Sequence, residues 1–342
     1  MLIPIDNDVD VPLISTKEAS AALERFIHSV TDEETVSKLR THIINSILAS
    51  PSVANDPTTA YESAMHSFTQ MERVELVLQH NNYTYLTADV CDMLGETQKS
   101  LTTWSFSDLS IEINTSGVIL FEKPKFKAIV EDPKKSDPLH VTGLMWDYQK
   151  AEIYRGANIE KTPVFWVTLI VNMPTNNPKI KTVYTNSDNE FAYIVHNDGK
   201  LEPLWEHESK NGLVDETIVD YFAATTMLMQ QREIIAEPTT YEPTVKHRKR
   251  RDPVLVPTGK DGEKVPFRIS TVSLSDTVRK AYAANAGSGK KPTKSWWVKG
   301  HWRRQPYGPQ RSLRKLIYIH PHISGNVNAP LDDCKTITKI VP

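Results

Sequence analysis

The run Lys290-Lys291-Pro292-Thr293-Lys294-Ser295-Trp296-Trp297-Val298-Lys299-Gly300-His301-Trp302-Arg303-Arg304-Gln305 interleaves cations with aromatic rings. Lys and Arg neutralise phosphates and release their counterions, and flat aromatic faces stack on unpaired bases for about 1–3 kcal/mol each. Lys294, Lys299, Arg303 and Arg304, with Arg314 and Lys315 further on, are therefore candidate contacts to nucleic acid or to an acidic partner. Trp296, Trp302 and Tyr307 are candidate aromatic anchors. The competing reading makes the rings core and the cations a solvated rim. In a hairpin, however, successive residues face opposite ways, so Trp296 and Trp297 cannot both be buried on one face.

The other candidate chemistry is thinner. His301, His320 and His322 would suit zinc with an open position if a hairpin gathered them, and a histidine-dependent nuclease is the activity that would follow. Pro321 is expected to end the strand between two of them, and no carboxylate stands ready to orient the rings. We therefore expect no metal and no cofactor. Ala286-Gly287-Ser288-Gly289-Lys290 lacks the spacing of a phosphate loop. There is no serine elbow or zinc-protease helix motif, and Cys91 and Cys334 lie too far apart in sequence for a redox or metal pair. The acids Asp108, Glu112, Asp147 and Asp215 fall on scattered pattern-polar positions and nominate no acid–base pair. The chain reads as non-enzymatic.

The charge is sorted along the chain. The total is 40 Lys+Arg against 42 Asp+Glu. Residues 244–342 hold 21 of the cations and 6 of the acids, a balance of +15, and residues 1–243 hold −17. Such a chain presents its basic part to a polyanion or to its own acidic part. At 342 residues, with 39% hydrophobic and 24% charged content, a sizeable core is expected. No apolar run reaches the roughly 20 residues of a membrane span, and the first residues do not read as a secretory signal. The two cysteines read as free thiols in a reducing cytoplasm.

The elements that must position these residues read as α+β. Three helices are expected up to about residue 80. Ser15 or Thr16 caps the first, with Ala19, Ala22, Leu23, Phe26, Ile27 and Val30 on its apolar face. Thr31 caps the second, and Asp56-Pro57 opens the third. A short helix over 87–94 is expected to end at Gly95. From residue 101 the pattern turns to strands, beginning with the alternation Leu109–Ile113 and continuing as a mostly antiparallel sheet. A helix is expected from about Val214 to Ala236, before Pro238. The charged run Lys246–Arg251 reads as a loop, 275–285 as a short helix, and the C-terminal block as a strand, a turn and a strand. The expected organisation is a helical region over 1–100, sheet plus helix over 101–243, and a basic C-terminal domain over 244–342.

The C-terminal residues carry a resemblance. A Lys/Arg-rich lead-in, Gly300-His301-Trp302, a turn glycine at Gly308, a basic strand with Arg314 and Lys315, Pro321, and a closing Ser324-Gly325 follow in order. Upstream stand Val278-Arg279-Lys280 and Ala236-Glu237-Pro238, and the segment Leu109–Phe121 agrees loosely. The chain resembles the type V-A anti-CRISPR proteins that suppress production of the CRISPR effector nuclease, and their phage- and plasmid-borne relatives, most clearly over about 230–325. The His-Pro-His at 320–322 departs from that pattern, so no metal site is inherited. The resemblance implies a non-catalytic counter-defence protein in the host bacterial cytoplasm. It would recognise a nascent target polypeptide on the ribosome and cause loss of the message being translated. Its expected partners are the nascent chain, the ribosome and the messenger RNA, with no membrane. A general RNA- or DNA-binding protein of a mobile element is the alternative.

Overall fold

The computed structural model describes residues 2–5, 11–48, 57–98, 101, 104–128, 139–155, 158–173, 182–204, 213–247, 250–258, 263–280, 295–298, 300–309, 312–320 and 322–325. The first helix, α1 (Thr16–Thr31), opens on a reciprocal cap. Ser15 Oγ accepts from the Glu18 N–H at 3.4 Å, and Glu18 Oε2 accepts from the Ser15 N–H at 3.1 Å. The expected apolar stripe is the one that is buried: Ala19, Ala22, Leu23, Phe26 and Ile27. The second helix, α2 (Glu33–Leu48), is capped by Asp32 rather than Thr31. Asp32 Oδ2 accepts from the Thr35 N–H at 2.9 Å, whereas the Thr31 hydroxyl turns back to donate to Ile27 O at 2.8 Å. The third, α3 (Pro57–Gln79), starts at the proline, whose fixed φ and missing N–H suit a first turn. It buries Val74, Val77 and Leu78. The fourth, α4 (Ala88–Thr97), continues through Gly95 instead of stopping there.

The strands are β1 (Leu2–Pro4), β2 (Tyr83–Leu86), β3 (Thr115–Phe121), β4 (Phe126–Ala128), β5 (Leu139–Arg155), β6 (Asn158–Asn172), β7 (Tyr184–Val195), β8 (Leu201–Pro203), β9 (Thr239–Tyr241), β10 (Thr244–His247), β11 (Arg250–Pro253), β12 (Leu255–Thr258), β13 (Glu263–Pro266) and β14 (Ile269–Val272), followed by the C-terminal hairpin. Ten of them form one sheet with the main path β8-β7-β6-β5-β3-β2-β14-β9, and β4 pairs with β5 and β1 off that path. Most neighbours are antiparallel; β2 runs parallel to both β3 and β14. The sheet therefore draws strands from each of the segments 1–100, 101–243 and 244–342.

Two sequence expectations change here. The alternation Leu109–Ile113 is not a strand. Residues Phe106–Leu109 form a 3-10 turn held by Asp108, whose Oδ2 accepts from the Ser105 N–H at 2.9 Å. Ser110 and Asn114 then adopt positive φ, which breaks extended geometry. The charged run at 246–251 is not a plain loop, because Lys246 pairs with Arg251 and His247 with Arg250 in the β10–β11 ladder.

The sheet is covered on both faces. One face packs Tyr83, Tyr85, Val118, Leu120, Met145, Trp166 and Ile170 with the apolar sides of α1 and α3. The other packs Leu86, Ile119, Phe121, Leu144, Phe165, Val167 and Leu169 with α4 and with α5 (Leu213–Met229). Tyr221, Phe222, Ala223, Ala224, Met227 and Leu228 of α5 are all buried, so this helix is apolar over most of its circumference. It ends at Met229, short of the expected Ala236. The chain turns at Gln231, and Ile235 is buried by bridging to Leu274 instead of extending the helix. Among the described residues no helix is long and apolar enough to cross a membrane.

Candidate polyanion-binding hairpin

The basic-aromatic block folds as two ladders. In the first, β15 (Ser295–Val298) pairs with β18 (His322–Gly325); in the second, β16 (His301–Tyr307) pairs with β17 (Leu313–Ile319). Val298 faces His322 and His301 faces Ile319, so the two ladders are in phase and form one hairpin. Gly308, at φ 77°, takes the left-handed turn that starts the return from β16, a conformation glycine adopts without a Cβ penalty. Gly300 lies between the ladders.

The pairing sorts the side chains into two rows, because directly opposed residues share a face. The inner row holds Trp302 opposite Tyr318, Arg304 opposite Leu316, and Pro306 opposite Arg314. Tyr318 and Leu316 are buried, and Trp302 packs against the sheet's second core. The Tyr318 N–H donates to Gln231 Oε1 at 2.9 Å, while Gln231 Nε2 donates to Met227 O at 3.3 Å. Gln231 thereby fastens the hairpin to the end of α5. Nothing in the sequence marked it, since a glutamine after a helix is unremarkable in pattern. The outer row holds His301 opposite Ile319, Arg303 opposite Ile317, Gln305 opposite Lys315, and Tyr307 opposite Leu313. His301, Arg303, Lys315, Tyr307 and Leu313 are exposed.

The candidate residues therefore divide. Arg303, Lys315 and Tyr307 stand together on the outer row. Trp302 is an anchor into the fold. Arg304 lies on the inner row with its guanidinium 4.0 Å from Asp108, and Arg314 donates to Leu313 O at 3.3 Å. Gly325 pairs with Ser295, and Trp296 is placed by its backbone, opposite Ser324. Lys294, Lys299, Pro321 and Cys334 lie outside the described residues. The register puts His301 opposite Ile319, not opposite His320 or His322. Among the described residues no group of three or more His, Cys, Asp or Glu side chains could hold a metal ion.

Part of the tail's charge is answered by the acidic front. Arg279, in the Val278-Arg279-Lys280 helix, places Nε 3.1 Å from Asp89 Oδ2 and donates through a terminal nitrogen to Leu274 O at 3.1 Å. Val278 beside it is buried. Arg268 pairs with Glu242 at 2.6 Å. Arg303 and Lys315 form no ion pair among the described residues. From Thr277 to Leu331 the sequence contains no Asp or Glu and 11 Lys and Arg, so the hairpin supplies no acid of its own.

Fold and site together define an α+β protein carrying a basic two-stranded ribbon that packs Trp302, Leu316 and Tyr318 toward the core and exposes Arg303, Lys315 and Tyr307 on the other row, with Arg304 and Arg314 exposed on the inner one. Residues 229–325 match the AcrVA2-like model, described as the anti-CRISPR type V subtype A2 family. That span runs from the end of α5 to the end of β18, and it contributes β9 and β14 to the main sheet. The similarity to type V-A anti-CRISPR proteins holds there, and it supports counter-defence as the class of function. A solved structure titled "Crystal structure of AcrVA2" aligns with 90% of this chain and 98% of its own, at 13% identity and a TM-score of 0.42. No curated protein matches the sequence.

Proposed function

We propose that this chain is a counter-defence protein of a mobile element that recognises a nascent target polypeptide on the ribosome and triggers loss of its messenger RNA. The match of residues 229–325 to an anti-CRISPR family is the observation that carries the class. The outer row of the hairpin adds a surface suited to RNA or to the ribosome, with Arg303 and Lys315 exposed beside Tyr307. The acidic first 243 residues supply the complementary surface for a basic emerging peptide. In this reading the chain is a non-catalytic adaptor working in the host bacterial cytoplasm, and its target is the protein whose first residues it recognises.

The test is transcript sequencing in host cells with and without the chain. One message, or a small set, should be depleted. Replacing that message's start codon should restore it, because recognition requires translation. Depletion that persists without translation would leave a general RNA-binding protein, the reading favoured by the exposed cations alone.

A further inference from the structure

We infer that the outer row of the C-terminal hairpin is a track for single-stranded nucleic acid, with Arg303 and Lys315 on phosphates and Tyr307 against a base. The inference deepens the function proposed above, on which it rests for which strand is bound.

Three observations carry it. Arg303 faces Ile317 and Lys315 faces Gln305, so the two cations are diagonal neighbours across the ribbon, about 7–8 Å apart at the backbone. They make one positive band in the middle of the exposed face. A protein-binding patch would place its charges at the rim, because charged residues are depleted from the core of such interfaces. Surfaces for nucleic acid are instead polar and strongly positive throughout. Here the middle of the face is Arg303 with the half-buried Ile317 opposite it, and Gln305 opposite Lys315, within a segment free of acids.

The second observation concerns the ring. Tyr307 is 48% exposed at the turn end of the same row, whereas Trp302, on the opposite row, is half buried against the core. A free ring beside a cationic band takes an unpaired base; a duplex buries its base faces and offers the ring nothing to stack on. The third is the charge of the remainder. Residues 1–243 carry −17 and repel a polyanion, which directs the strand to the basic C-terminal segment that contains the ribbon.

The experiment measures binding of a short labelled single-stranded RNA to the full chain by fluorescence anisotropy. Affinity should fall at least about tenfold between about 50 and 200 mM salt. The double reversal Arg303→Glu/Lys315→Glu should weaken binding at least about tenfold and lower the salt slope by roughly 1.4, two phosphate contacts on a single strand. Tyr307→Ala should weaken binding several-fold with the slope unchanged. The matched reversal Lys38→Glu/Lys161→Glu, on exposed lysines outside the hairpin, should leave binding as it was. Circular dichroism confirms that each variant is folded. Equal loss in both double reversals, tighter binding to duplex than to single strand, or no RNA binding at low salt alongside capture of an acidic protein through this face would each overturn the inference. RNA binding that depends on the outer row, in cells where no message is depleted, would uphold it and remove the transcript-loss reading.

Discussion

The rings of Trp302 and Tyr318 sit 5.3 Å apart, centroid to centroid, at an interplanar angle of 58°, and close the inner face of the C-terminal hairpin against the second core. Trp302, a candidate aromatic anchor in the sequence, is thus packed against the core, and the exposed Arg303 and Lys315 lie on the opposite row. Trp302→Ala should cost about 2–4 kcal/mol, less than a fully sealed tryptophan because the ring is only half buried. Tyr307→Ala, on the outer row, should stay within about 0.5 kcal/mol of wild type. Urea titration of both variants checks this; equal losses would mean that the two rows are not distinct.

Asp147 is a buried carboxyl on β5, opposite Ser116 on β3 and Trp166 on β6. Burial pushes it up from 3.8 to about 6, and the charge of Arg73, which stacks over Trp166 at 5.2 Å, offsets only part of this. The folded state then holds the proton more tightly than the unfolded chain. Between about pH 4 and pH 6 the native state binds more protons, so stability falls as pH rises through that window. Asp147→Asn should be more stable than wild type near neutrality, by on the order of 2 kcal/mol, with the advantage shrinking toward pH 4. An advantage that is the same at both ends of the window, or a loss at neutrality, would contradict this account.

Gly143 lies where β5 shifts register between Val141 and Gly143, and a Cβ there would sit 2.5 Å from Ile119 O on β3. The obstacle is backbone, which cannot swing aside like a side-chain tip. Gly143→Ala should destabilise by at least about 1–3 kcal/mol. Thermal melting of this variant beside Gly95→Ala gives the contrast, because a Cβ at Gly95 meets only the Lys125 side chain at 3.8 Å. Similar melting shifts for the two would remove the steric explanation.

Local signals were the legible part of the fold. Ser15 with Glu18, Pro57, and the stripe from Ala19 to Ile27 locate α1 and α3 because caps and apolar periodicity act within a few residues of chain. The long-range pairings were not legible. Tyr83–Leu86 is only four residues long, and its strand identity comes from parallel partners at Val118–Phe121 and Ser270–Val272 that no local pattern announces. Leu109–Ile113 alternates like a strand, but Asp108 and the left-handed Ser110 override the pattern. At the hairpin, composition showed the cations and rings together. Sorting them into rows required the register, and Gln231, which fixes that register to α5, leaves no compositional trace.

Capture of the chain from actively translating host cells, with sequencing of the attached messages, tests the central claim most directly. The account predicts one or a few messages, held through their nascent N-terminal segments, lost when puromycin releases the chains and reduced by Arg303→Glu/Lys315→Glu. A random population of messages, or recovery that survives puromycin unchanged, would contradict it.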